Sequence, residues 1–161
     1  MYRRIKNPWL GKVGYNCMGC APHNPIGLHM QFYAGDNETL WGEWMPGENY
    51  QSWVGVVHGG IQALILDEAA EWWMNMFRQT AGVTTKMEVK FQKTVYLKDG
   101  PLRVKATHVT DMRAFIALHV ELLNNRDEVC STAEVIYCQF PKEQAAKELG
   151  FTGCELEEET T

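Results

Sequence analysis

The sequence lacks long apolar runs and concentrated blocks of basic residues. No segment approaches the roughly 18 consecutive apolar residues needed to span a bilayer. The basic residues near the N-terminus are not followed by the apolar stretch of a secretory signal. The interleaving of basic and aromatic residues that is typical of nucleic-acid binding is also missing. We therefore expect a cytoplasmic protein that binds neither a membrane nor nucleic acid.

Disulfide chemistry is also disfavoured. The chain has five cysteines, an odd number, and no sign of export. The run Cys17-x-x-Cys20-x-x-His23 has the spacing of half a zinc site. The missing ligands would have to come from His29, Cys138 or Cys154. No βαβ pattern supports a redox pair. We expect the two cysteines to pack a loop against the sheet, with no metal and no cofactor bound.

The chain is long enough for one domain. It has 161 residues, of which 45% are hydrophobic, so that it can bury a sizeable core. We divide it into an irregular N-terminal segment, residues 1–24, a folded domain, residues 25–150, and an acidic tail, residues 151–161. Much of the net charge of −5 lies in that tail, which we expect to be disordered.

The apolar pattern predicts an α+β fold. Residues 26–33 and 38–44 alternate on either side of a turn and indicate a hairpin. Between Gly60 and Arg78 the apolar residues recur at helical spacing on more than one face, which predicts one long, well-covered helix. Further strands are expected at residues 83–97, 102–110, 114–123 and 129–140, with a short helix at 143–149. A curved antiparallel sheet wrapped around one long central helix accommodates this order. Because such a roll leaves a sheet edge exposed, we expect a homodimer or a dimer of dimers.

The motif His58-Gly59-Gly60 stands where the loop becomes the long helix. The free amides of a first helical turn, with the helix dipole behind them, form a donor site for a polarised carbonyl. Asp67 lies on the same helix face as Gly60, at i+7. Burial among apolar neighbours would raise the pKa of its carboxyl and suit it to act as a base or a nucleophile.

This constellation resembles the hotdog-fold acyl-CoA thioesterases of the phenylacetate-degradation (PaaI-like) branch. The acid nine residues after the histidine of HGG, on the long helix of a strand–helix–strand pattern, carries the resemblance. Cys17-Met-Gly-Cys20, followed by Asn24-Pro25-Ile26-Gly27-Leu28, is similar to the opening strand of many members. Gly82-Val83-Thr84 stands where members often begin the strand after the helix. The resemblance covers roughly residues 17–140 and implies a hotdog fold.

The resemblance implies hydrolysis of an acyl-CoA thioester to a free acid and CoA. Asp67 corresponds to the catalytic carboxylate, which either activates water or attacks the thioester directly. The amides of Gly59 and Gly60 would form the oxyanion hole, and His58 would orient the loop or the carbonyl. A hydroxyl that positions water corresponds to Thr84, with Thr85 as the alternative, and it would come from the partner subunit.

One departure from the family concerns substrate binding. Many members carry Asn six residues before the histidine, where this chain has Ser52, and either Gln51 or Asn49 is a candidate substitute. Trp72 is a candidate wall of the acyl pocket, although most of the aromatic residues around it are expected in the core. Arg113, after a turn, is the candidate for binding the CoA phosphates.

Two other functions remain open. A hotdog dehydratase or hydratase would need a histidine and an acid paired across the site, whereas His58 lies in a glycine loop. A non-catalytic acyl-CoA-binding module would keep the pocket but should lack the carboxylate, and Asp67 is present. The residues therefore favour hydrolysis.

Overall fold

The structure, a computed structural model, describes residues 2–158 of the chain. In chain order, the strands and α-helices are β1 (Arg3–Arg4), β2 (Gln31–Ala34), β3 (Leu40–Trp44), α1 (Gly59–Phe77), β4 (Gly82–Phe91), β5 (Leu102–Met112), β6 (Phe115–Leu123), β7 (Val129–Gln139) and α2 (Lys142–Leu149). Neither helix in this range has the length and apolar character needed to cross a membrane.

All seven strands form one antiparallel sheet in the order β1-β2-β3-β5-β6-β7-β4. The chain leaves the sheet after β3, passes through α1, and returns as β4 at the opposite edge. The sheet curves around α1, which packs against every strand from β2 to β7. The predicted α+β hotdog fold, with its curved sheet around one long helix, is confirmed.

Helix α1 begins and ends close to the predicted positions. His58 caps its first turn, because Nδ1 of the imidazole accepts a hydrogen bond from the Gly60 amide at 2.8 Å. At the other end the Arg78 amide donates to the Met74 carbonyl. Because the sheet covers several faces of the helix, its buried side chains are not confined to one stripe. They include Ile65, Leu66, Ala69, Trp72, Trp73 and Met74.

The first predicted strand is shorter than expected. Leu28 and Met30 are buried, as the alternation implied, but the ladder begins only at Gln31. His29 has a positive φ of 55°, which interrupts an extended backbone, and Nε2 of its ring lies 2.5 Å from the Asn24 carbonyl oxygen. Alternating burial therefore extends beyond the hydrogen-bonded strand.

The two ends of the chain pack together at the β1 edge. Ile5 forms a bridge with Leu156, the Lys6 amide donates to the Glu155 carbonyl, and Phe151 is buried. The expected irregularity of residues 1–24 is wrong at β1, which pairs with β2. The expected disorder of the tail is wrong for residues 151–158, because apolar side chains anchor this stretch despite its acidic neighbours. Residues 159–161 lie outside the described range.

Candidate active site

The first turn of α1 offers one free amide. The Gly60 amide is taken by Nδ1 of His58, so it cannot also donate to a substrate carbonyl. The Gly59 amide has no acceptor among residues 2–158. Of the two amides expected to donate to an oxyanion, that of Gly60 is engaged with His58 and that of Gly59 is left as the candidate donor. Nδ1 of His58 is thus the acceptor that caps the first turn of α1. The His58 backbone amide donates to the Tyr50 carbonyl at 2.9 Å, which holds the loop against the helix.

Asp67 and Thr84 meet within one chain. Thr84 Oγ1 donates to Asp67 Oδ1 at 2.6 Å, and both residues are half-buried. The expectation that this hydroxyl reaches Asp67 from the partner subunit is wrong, because β4 returns beside its own α1. Thr85 is exposed, and its hydroxyl donates to the Ile136 carbonyl at 2.9 Å. The register of β4 against β7 shifts between Thr84 and Lys86. The Thr84 hydroxyl therefore bonds Asp67 on α1, whereas the Thr85 hydroxyl bonds the backbone of the neighbouring strand β7.

Asp67 and Gly59 of one chain cannot act on the same carbonyl. Eight residues of α-helix correspond to about 12 Å along the axis. The amides of a first turn also point out of the N-terminal end, away from later residues of the helix. An oxyanion donor and an attacking oxygen must each lie about 3 Å from the reacting carbonyl group. A single chain therefore presents two separated halves of the expected site.

Two further acids on α1 are the buried Glu68 and the half-buried Glu71, and no sequence pattern marked either as functional. Glu68 is 6% exposed and accepts a hydrogen bond from Trp72 Nε1 at 3.1 Å. Burial raises the pKa of Glu68, and it raises the pKa of Glu71 with help from the negative charges of Glu68 and Asp67. The expected burial of Asp67 is thus corrected, because the helix turns Glu68 inward instead. The signal available in the sequence was three acids within five residues of a helix that is otherwise apolar.

The loop before α1 places the candidate substrate-binding residues near His58. Gln51 bridges Val57, and its side-chain oxygen accepts a hydrogen bond from the Gly55 amide at 2.7 Å. Gln51 therefore stabilises the loop itself. Ser52 and Asn49 are exposed in the same loop. This loop lies beside the N-terminus of α1. A residue that substitutes for the family asparagine would have to lie there.

The other two candidates lie in different surroundings. Trp72 is 2% exposed and stacks on Phe32 with ring centroids 4.8 Å apart, so most of its side chain lies in the core. With Cys20 and Phe32 it also lines part of a cavity of about 140 Å³. Arg113 is exposed at the turn between β5 and β6, with a φ of 59°. Thr84 pairs with Tyr137, which pairs with Ile116. This turn therefore lies at the same end of the sheet as Thr84, and Arg113 remains a candidate for binding phosphate.

The suggested zinc ligands are only partly brought together. Nε2 of His23 lies 2.6 Å from the Tyr15 carbonyl oxygen, and His29 bonds elsewhere, so neither joins the cysteines. Instead, the side chain that approaches Cys17 and Cys20 is Glu68. The cysteine loop therefore packs on α1 as well as against the sheet.

The chain matches a known family over the segment that contains these residues. The model of the thioesterase superfamily matches residues 54–131, from the loop before α1 into β7. The match includes the HGG motif, Asp67, Thr84 and Arg113, and excludes the cysteine loop. No sequence among curated proteins matches the chain.

Solved structures share the fold at low sequence identity. A thioesterase superfamily protein aligns with a TM-score of 0.69 and 20% identity over 76% of this chain, which spans only 60% of that protein. The PaaI protein of the E. coli phenylacetic acid degradation operon aligns with a TM-score of 0.63 and 14% identity, over 71% of this chain and 82% of that one. A hypothetical thioesterase protein with coenzyme A from Streptococcus pneumoniae aligns with a TM-score of 0.64 and 16% identity, over 70% of this chain and 90% of that one. The molecule is thus a hotdog-fold protein. Together with the family match, this confirms its predicted resemblance to the thioesterase superfamily.

Proposed function

We propose that the protein hydrolyses an acyl-CoA thioester to a free acid and CoA, within the PaaI-like branch of hotdog thioesterases. The observation that carries the proposal is the short hydrogen bond between Thr84 and the half-buried Asp67 carboxylate. The free Gly59 amide, the family match over residues 54–131 and the structural neighbour with coenzyme A support it. The histidine–acid pair that a dehydratase would need is not favoured, because Nδ1 of His58 caps its own helix.

The residues suit the chemistry of a thioester. The Gly59 amide would stabilise the negative charge that develops on the carbonyl oxygen. Asp67 would either take a proton from an attacking water or attack the carbonyl carbon itself. In both routes the carbon–sulfur bond breaks and CoA leaves as a thiolate, so that no strong general acid is needed. Thr84 donates to Oδ1 of Asp67 and leaves Oδ2 for the reaction.

A second copy of the chain would complete the site. β4 is an edge strand, and it exposes the apolar side chains of Val83 and Phe91. Thr84, near one end of β4, contacts Asp67, whereas the Phe91 ring, at the other end, would lie 3.5 Å from a Cβ on Gly59. Antiparallel pairing of two β4 strands about a two-fold axis places the Phe91 end of one beside the Thr84 end of the other. Each Asp67 would then meet the partner's Gly59.

The first test is thiol release from a panel of aryl, short-chain and medium-chain acyl-CoAs. We expect turnover of at least one member, with kcat in the ordinary enzymatic range of about 1 s⁻¹ or more. Tight binding of an acyl-CoA without any thiol release would contradict the hydrolase proposal and favour an acyl-CoA-binding module.

Removing the Thr84 hydroxyl should weaken hydrolysis without abolishing it. Thr84→Val keeps the shape of the side chain and removes the bond that orients Asp67. We expect kcat to fall by about tenfold, the equivalent of one hydrogen bond of about 1.4 kcal/mol. Thr85→Val is the matched control, because its hydroxyl bonds the Ile136 carbonyl and should leave kcat within about twofold. Equal losses in the two variants would argue against a specific role for Thr84.

Mixed dimers test the two-chain site directly. Chains carrying Asp67→Asn and chains carrying Gly59→Pro should each form nearly inactive dimers. When the two are co-expressed, half of the dimers are mixed, and one of the two sites in each mixed dimer is intact. Activity should therefore recover to about one quarter of the wild-type value. No recovery in mixed dimers that are shown to form by native mass spectrometry would place both groups in one chain.

A further inference from the structure

A cluster of ligand-type atoms joins the N-terminal loop to α1, outside the proposed hydrolytic machinery. The sulfur atoms of Cys17 and Cys20 and a carboxylate oxygen of Glu68 all lie within 4.8 Å of one another. The cluster is drawn together from sequence positions about fifty residues apart. Its cysteines lie outside the segment that matches the thioesterase superfamily.

The distances in the cluster suit tetrahedral zinc. Bonds of about 2.3 Å to sulfur and 2.0 Å to oxygen, at a tetrahedral angle, hold the two ligand atoms about 3.5 Å apart. Cys17 Sγ lies 3.4 and 3.5 Å from the two carboxylate oxygens of Glu68. Two soft thiolates with one carboxylate form a donor set that favours zinc over calcium or magnesium.

The loop backbone is shaped to admit the carboxylate. A Cβ on residue 19 would lie 2.3 Å from Cδ of Glu68, so Gly19 allows the acid to reach the sulfurs. The Gly19 amide donates to Cys17 Sγ at 3.3 Å, and Trp72 Nε1 fixes Oε1 of Glu68. Both a sulfur and the carboxylate are thereby held in place before any ion arrives.

The acids of α1 near the cluster have no cationic side chain as a partner among residues 2–158. Glu68 is buried on α1 beside Asp67 in the chain, and the half-buried Glu71 lies about one helical turn further on. Among residues 2–158, no lysine, arginine or histidine forms an ion pair with Glu68 or Glu71. Buried carboxylates are costly unless they are paired, protonated or bound to a metal. A divalent ion supplies the missing positive charge.

A cavity beside the cluster provides room for a fourth ligand. It has a volume of about 200 Å³ and is lined in part by Cys17, Cys20 and Glu71. A water molecule can therefore occupy the remaining tetrahedral position. Three protein ligands with a fourth, exchangeable position are a known arrangement for zinc.

We propose that Cys17, Cys20 and Glu68 bind one zinc ion per chain and thereby fasten the N-terminal loop to α1 at the residue after Asp67. This differs from the expectation of a packing role, because sequence spacing alone supplied two sulfurs and could not show the carboxylate. The proposal does not depend on thioester hydrolysis. Its tests measure metal content, absorption and stability, so they can fail or succeed independently of turnover.

Metal analysis and cobalt substitution test the site. Untagged protein, purified under reducing conditions, should contain about one zinc per chain or take up one equivalent after removal of metal. Co²⁺ bound in place of zinc should show thiolate-to-cobalt charge-transfer absorption. Cys17→Ser should weaken Co²⁺ binding by at least ~100-fold, since losing even an outer partner of a metal site costs ~10- to 100-fold. Cys138→Ser, which removes a half-buried thiol of β7, is the matched control and should bind as the wild type does.

A second variant and a melting curve distinguish loss of metal binding from misfolding. Glu68→Gln keeps both sulfurs and the side-chain volume, and should weaken Co²⁺ binding by at least ~10-fold while circular dichroism stays unchanged. Zinc should raise Tm for the wild type and for Cys138→Ser, but not for Cys17→Ser. The proposal is overturned if the reduced wild type binds neither ion, or if Cys17→Ser develops the charge-transfer band with the same intensity and at the same Co²⁺ concentration as the wild type. A Cys17–Cys20 disulfide in metal-free protein that still takes up no zinc after reduction would overturn it as well.

Discussion

Replacing Asp67 by Asn is expected to lower kcat for the preferred acyl-CoA by ~10² or more, equivalent to about 2.7 kcal/mol of transition-state stabilisation. The amide can still accept the Thr84 hydrogen bond, so the local structure should persist. An amide can neither take a proton from water at neutral pH nor form an acyl intermediate. Thiol release at saturating substrate measures the loss, and KM should change much less.

The control for this variant removes an equivalent charge elsewhere. Glu143→Gln lies on the exposed first turn of α2 and should retain wild-type kcat. Equal Tm values for the two variants would show that the fold is intact. If Asp67→Asn keeps more than about a third of the wild-type kcat, the role of the carboxylate proposed here is wrong.

The architecture was predictable because each part of it has a strong local signal. The helical periodicity between Gly60 and Arg78 placed α1 to within one residue at each end. The four later strands follow alternating patterns broken by turns. The position of Asp67 on the face of the HGG motif was likewise readable from helical spacing. The same spacing implies a separation of about 12 Å along the helix between Gly59 and Asp67, which is too far for one chain to use both groups on one carbonyl.

The burial of individual acids was not predictable. Asp67, Glu68 and Glu71 all lie on one helix, and only the curvature of the sheet decides which of them turns inward. The contact of Glu68 with Cys17 joins positions about fifty residues apart. Long-range contacts of this kind leave no periodic trace in a single sequence. The same reason explains why the pairing of β1 and the ordered residues 151–158 were missed, since each depends on the other.

Replacing Gly59 by proline should lower kcat by about 10²–10³, the usual cost of losing one oxyanion donor. The substitution removes the free amide hydrogen and little else. Gly59 is the first residue of α1, where proline is well tolerated, and His58 before it has φ −61° and ψ 136°, which suit a residue that precedes proline. The helix should therefore form normally, and circular dichroism should match the wild type.

Gly59→Ala distinguishes the role of the amide hydrogen from the role of the missing side chain. Alanine keeps the N–H, and its Cβ would lie 3.5 Å from the Phe91 ring, an ordinary contact. If the Gly59 amide polarises the thioester, Gly59→Ala should stay within about fivefold of the wild-type kcat while Gly59→Pro loses at least 10². Similar losses in both variants would mean that the site needs the open space of glycine rather than its amide. Near wild-type turnover in Gly59→Pro would show that the oxyanion hole does not lie at the start of α1.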